Sequence, residues 1–126
     1  MSNFDAYIKE ARAKGSMKLA KRMRDEKIAA SGLVKAILKA GYMISIDNGE
    51  DWPVKKSRSY REVMDNLWAC DEEKLLLRDM VSGEKIGWFY LVFGNSGAEL
   101  VCDYSDNDAC NAVYDALRPL IERLEA

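Results

Sequence analysis

The 126-residue chain contains no histidine. That removes the commonest general base, the commonest metal ligand and every Ser-His or Cys-His mechanism. Cysteine is scarce and unpaired: Cys70, Cys102 and Cys110 make an odd count with no C-x-x-C spacing. A disulfide framework or a zinc site is therefore not expected. Reduced thiols facing or bordering the core are expected instead. The glycines form neither G-x-x-x-x-G-K nor G-x-G-x-x-G, so no phosphate cradle is announced. No apolar run approaches the roughly 18–20 residues of a membrane span. The start, Met1-Ser2-Asn3-Phe4-Asp5, lacks the basic region and apolar stretch of a secretory signal. The expectation is a cytoplasmic protein with no cofactor, no metal and no membrane partner.

What is present is a globular composition, 48% hydrophobic and 32% charged, of a size that fits a single domain spanning 1–126. The formal net charge of −2 conceals a division. Residues 1–40 carry ten Lys/Arg and four Asp/Glu, a net of +6; residues 41–126 carry nine and seventeen, a net of −8. A basic segment thus precedes an acidic body, with the only change of character near Gly41.

Periodicity gives an α+β fold. Phe4, Tyr7, Ile8 and Ala11 fall at helical spacing, and Gly15-Ser16 marks a break with Ser16 as a candidate cap. Residues 17–40 are helical, as one helix or as two divided at Ser31-Gly32. Tyr42, Ile44 and Ile46 alternate as in a strand, and Asp47-Asn48-Gly49 turns the chain towards a return through Trp52 and Val54. Pro53 makes that return short or an edge. Ser59 with Glu62 is a capping-box pattern for a helix carrying Tyr60, Val63, Leu67 and Trp68, which Asp71-Glu72-Glu73 ends. Lys74–Met80, Lys85–Phe93 and Leu100–Tyr104 read as three further strands. Both faces of Lys85–Phe93 are apolar, so it is expected to be covered at least partly on both sides, with Trp88 in the core. Ser105 or Asp106 caps a last helix striped by Ala109, Val113, Ala116, Leu117, Leu120 and Leu124, which Pro119 is expected to kink or restart. The order is N-terminal helices, a two-strand hairpin, a helix, a three-strand meander and a C-terminal helix around a mostly antiparallel sheet of about five strands.

The segments Asp47–Trp52, Val54–Ser57, Asp71–Glu73, Leu77–Asp79, Ile86–Trp88, Val92–Asn95 and Asp103–Asn107 carry a resemblance. Over roughly residues 45–107 the chain is similar to small accessory proteins of phages, prophages and related mobile elements. The resemblance implies a mobile-element protein and implies no chemistry.

Candidate sites are few. Cys110, near the start of the last helix, is the one thiol whose position invites activation, although a packed thiol is the favoured reading. The acids from Asp103 to Asp108 fail the spacing of a calcium loop, and Asp106 or Ser105 as a cap explains them. The run Asp71-Glu72-Glu73 reads as a solvated loop. Lys14, Lys18, Lys21, Arg22 and Arg24 offer a basic stripe for phosphates. Trp52, Asp103, Asp106 and Asp108 offer an acidic and aromatic surface for a protein. The leading expectation is a non-enzymatic interaction protein binding a host or phage protein, with dimerisation through the N-terminal helices as a corollary. A nucleic-acid-binding regulator is the alternative, and a small enzyme using Cys110 or the Asp103–Asp108 acids the third.

Overall fold

The computed structural model describes residues 2–126. Helices α1 (Asn3–Ala13) and α2 (Met17–Lys39) form a hairpin. Strands β1 (Met43–Asp47) and β2 (Val54–Ser57), helix α3 (Tyr60–Asn66), strands β3 (Glu72–Arg78), β4 (Lys85–Val92) and β5 (Val101–Tyr104), and helix α4 (Asp108–Glu125) follow. The five strands make one antiparallel sheet in the order β2-β1-β3-β4-β5. The fold is α+β.

The helices cover one face of the sheet. Ile44, Ile46, Leu75, Leu77, Phe89 and Leu91 are wholly buried and join a core with Leu33 and Ile37 of α2, Val63 of α3 and Val113 and Leu117 of α4. The alternate positions Met43, Trp88 and Tyr90 are only half-buried, and Lys74 is exposed. This corrects the expectation for β4: Gly87, Phe89 and Leu91 meet the helices, whereas Trp88 lies on the uncovered face. Gly87 has to be glycine because a β-carbon there would collide with the Cys110 sulfur of α4.

α2 is one helix, unbroken at Ser31-Gly32. The reason is remote in sequence: a β-carbon on Gly32 would collide with Leu120 and press on Leu117. The glycine costs the helix about 1 kcal/mol relative to alanine but lets α4 lie close against it. α4 likewise runs as one helix through Pro119, with no restart. Pro119 is exposed, so water can serve the carbonyl that loses its helical partner. Its cap is Asn107, whose side chain accepts the Cys110 amide, rather than Ser105 or Asp106.

α1 is fastened to the body by aromatic packing. Phe4 meets Trp68 and Phe93 edge-on at 5.5 and 5.8 Å, Tyr7 meets Trp68 at 4.7 Å, and Trp68 stacks on Phe93 at 5.2 Å. The side-chain amide of Asn3 donates to the Leu67 carbonyl and the Tyr7 hydroxyl to that of Trp68. The basic segment therefore shares its core with the acidic body.

Two carboxylates lie buried at this end. α3 stops at Asn66, and Trp68 takes a left-handed backbone with φ 62° instead of continuing the helix. That turn points the amides of Trp68, Ala69 and Cys70 at Glu73, which accepts all three at 2.7–3.1 Å. Glu73 is thus a buried residue of β3 and not part of a solvated loop. Burial pushes its carboxyl above the ordinary glutamate range, and the three amides oppose the rise. Glu26 of α2 is also buried; it accepts the Gly94 amide at 2.6 Å and ties the β4–β5 turn to α2. Burial raises its carboxyl too, against the amides of Gly94 and Asn95.

Candidate functional site

A groove of about 920 Å³ lies on the outer side of the α1–α2 hairpin. Two helical stripes build it. Asp5, Ile8, Lys9 and Arg12 follow one face of α1 at i, i+3, i+4 and i+7. Arg24, Lys27, Ile28, Ser31, Gly32 and Lys35 follow one face of α2 over three turns. Tyr60 of α3 and Leu120 of α4 close one end. The hairpin that sets the two stripes side by side depends on Gly15, whose φ of 77° reverses the chain between the helices. The pair Ile8 and Ala11 of α1 packs on Ala20 of α2 and holds the hairpin together.

The floor is apolar and the rims are basic. Ile28 is 44% exposed and Leu120 half-buried, whereas Ile8 is buried against α2. Lys9, Arg12, Arg24, Lys27 and Lys35 stand against one carboxylate, Asp5. Asp5 is already taken: Lys27 bonds to it at 2.6 Å and holds its carboxyl below the ordinary aspartate value. Among the described residues, Lys9, Arg12, Arg24 and Lys35 make no ion pair. Lys35 rests over the Tyr60 ring, whose hydroxyl meets Ser31 at 2.7 Å.

Of the basic stripe read from the sequence, Lys18, Lys21 and Arg22 lie exposed at i, i+3 and i+4 on α2, outside the groove. Lys14 caps the C-terminus of α1, on the other side of the break from Lys18, and pairs with Glu10 at 2.8 Å. Lys21 pairs with Asp25 at 3.0 Å, and Arg22 turns to the Gly94 carbonyl. Only Arg24 of that set reaches the groove. Lys9, Arg12, Lys27 and Lys35 were missed because their common face is created by pairing α1 with α2. The available signal was an isoleucine flanked by cations at helical spacing on both helices.

The other candidates are dispersed. Trp52 lies outside β2, 40% exposed, with the Arg78 guanidinium 5.8 Å from its ring. Asp103, Asp106 and Asp108 are exposed, and each has a local explanation or none beyond solvation: Asp103 accepts the Tyr104 amide, Asp106 the Asn111 side chain, and Asp108 sits in the first turn of α4. Among the described residues no three Cys, Asp or Glu side chains gather as a metal-binding group. Cys110 is buried, and burial raises its thiol pKa rather than lowering it, so the helix start does not activate it. Cys102, expected at the core, is exposed because it falls in the irregular pairing of β5 with β4. Among the described residues no helix is long and apolar enough to cross a membrane.

Compared with family models, with the curated proteins and with the solved structures, the chain matches none.

Proposed function

We propose that this chain is a non-enzymatic interaction protein that binds an acidic segment of a protein partner in the groove between α1 and α2. The observation that carries the reading is the conjunction, in one concavity, of four cations that make no ion pair among the described residues and the exposed side chain of Ile28. Unpaired cations around apolar side chains suit a ligand that is both anionic and hydrophobic. A cytoplasmic setting and a host or phage partner belong to the same proposal; they rest on the resemblance of residues 45–107 to mobile-element proteins.

Nucleic acid is the second reading, favoured by the same cations. The exposed Ile28 weighs against it, since phosphates would leave that side chain without an apolar partner. The deciding measurement is fluorescence anisotropy with a labelled Glu-rich peptide containing leucines, a single-stranded DNA and an RNA, at low and near-physiological salt. Peptide binding that survives near-physiological salt and is lost in an Arg12→Glu, Arg24→Glu variant supports the proposal. DNA or RNA binding lost in the same variant, with no peptide binding, replaces it with the nucleic-acid reading.

A further inference from the structure

We infer that a second copy of this chain is one such partner: its turn between β1 and β2, residues 48–53, seats in the groove. The inference rests on the reading of the groove as a site for an acidic segment and deepens it by naming a segment. Its first support is elimination. Among the described residues the exposed large apolar side chains are Met17, Ile28, Trp52, Tyr60, Met80 and Val81. Ile28 and Tyr60 line the groove itself. Met17 lies between Lys14 and Lys18 in sequence. Met80 and Val81 top the β3–β4 turn, where Arg78 and Lys85 balance Asp79 and Glu84 and the Lys56 side chain lies against Gly83 as a further cation. These last three apolar residues would bring cations to a groove rimmed by cations. Trp52 remains, 40% exposed, directly after Glu50 and Asp51.

The second support is charge. Residues 47–53 carry Asp47, Glu50 and Asp51 and no cation. Glu50 and Asp51 are exposed, and none of the three carboxylates makes an ion pair among the described residues. Arg78, the nearby cation, engages the Trp52 ring and not these carboxylates. Three unmatched carboxylates beside an indole thus answer four unmatched cations and an open isoleucine.

The third support is order. The Asn48 side chain accepts the amides of Glu50 and Asp51 at 3.0 and 2.8 Å. Asp47 accepts the Gly49 amide at 2.9 Å, and Asp51 the Trp52 amide at 2.8 Å. The turn is therefore fixed before it docks and loses little backbone freedom on docking. It shares no residue with the groove, so the contact is heterologous and joins copies in a ring or an open chain.

The test uses two full-length charge variants. Glu50→Lys, Asp51→Lys reverses the turn and keeps the groove; Arg12→Glu, Arg24→Glu reverses the groove and keeps the turn. Light scattering at low salt and high micromolar concentration should show the wild-type chain associating and each variant monomeric when alone. An equimolar mixture of the two variants should form a complex, because one retains the groove and the other the turn. Trp52→Ala, which depends on neither charge variant folding, should weaken self-association about tenfold or more. Its affinity for the labelled Glu-rich peptide, measured in dilute protein, should not change. A monomeric wild-type chain that still binds the peptide overturns the inference and leaves the acidic-segment reading standing. Association that persists in folded charge variants or is unaltered by Trp52→Ala overturns it as well, as does a mixture of folded variants that stays monomeric. Neither peptide binding nor self-association overturns both.

Discussion

The groove and the uncovered sheet face both set cations beside apolar side chains, yet they treat those cations differently. On the sheet, Lys74 lies over Trp88 and Arg78 over Trp52, each 5.8 Å from the ring centre. Arg78 also donates to the Ser45 hydroxyl at 3.0 Å and the Gly83 carbonyl at 3.3 Å. Long side chains thereby roof the face, and Leu76 beneath them is only 4% exposed. In the groove, Lys35 likewise rests over the Tyr60 ring, but among the described residues Lys9, Arg12 and Arg24 have neither an ion pair nor a ring partner, and Ile28 stays open. The lesson is that an uncovered face is not by itself an unfinished one. A surface whose charges are matched within the chain serves stability, and one whose charges are not matched is available to something else.

The comparison is sharpened most by the place where charge is matched most completely. Glu73→Ala should cost about 3 kcal/mol or more, because three amides near a left-handed residue lose their acceptor together. Denaturant unfolding checks this, and a loss under about 1 kcal/mol would mean that the turn at Trp68 is held by its ring packing alone. Gly32→Val comes next, at about 1–3 kcal/mol, since the new methyls push into Leu120 and Leu117. A melting curve reads the loss, and the peptide affinity should fall with it, because Leu120 is part of the groove. Trp52→Ala should cost about 1 kcal/mol or less through its contact with Arg78. It should leave groove binding unchanged; altered peptide affinity would break the division between the two surfaces.

A smaller effect appears in pH dependence. Glu26 and Glu73 both have folded carboxyl pKa values raised by burial. Each therefore holds its proton to higher pH folded than unfolded, so its contribution to stability declines as pH rises from the ordinary glutamate value through the raised one. Glu26→Gln keeps an oxygen for the Gly94 amide and should flatten that part of a stability-versus-pH curve, measured by urea unfolding at a series of pH values. The smallest effect belongs to the groove itself. Neutralising Arg12, Arg24 and Lys35 with glutamine should change stability by less than about 0.5 kcal/mol or raise it slightly, as mutual repulsion is relieved. A clear loss on melting would show that these cations serve the fold, and the comparison would fail.

Most of the fold was legible because its signals are local. Alternation at Ile44 and Ile46, the polar turn at Asn48-Gly49, the Ser59 cap and the stripe of α4 each act within a few residues. What was not legible depends on residues far apart in the chain. Whether Ser31-Gly32 breaks α2 is decided by Leu120. Whether Glu73 is solvated is decided by the backbone of Trp68. Which face of β4 is covered is decided by where α4 docks on Gly87. The groove was the least legible part, since its two stripes meet only when α1 and α2 lie side by side: charge counting found the basic segment, and of the cations named there only Arg24 lines the groove.

The tether from Glu26 to the β4–β5 turn bears on how the groove meets a partner. Glu26 lies between Arg24 and Ile28 in sequence but projects from the opposite side of α2, into the body. With Gly32 seated against α4 two turns further on, that wall is pinned near both ends of its groove stripe. It has little freedom to roll or slide. Its ordering is completed when the chain folds, so association would have to immobilise only the incoming segment and a few long basic side chains.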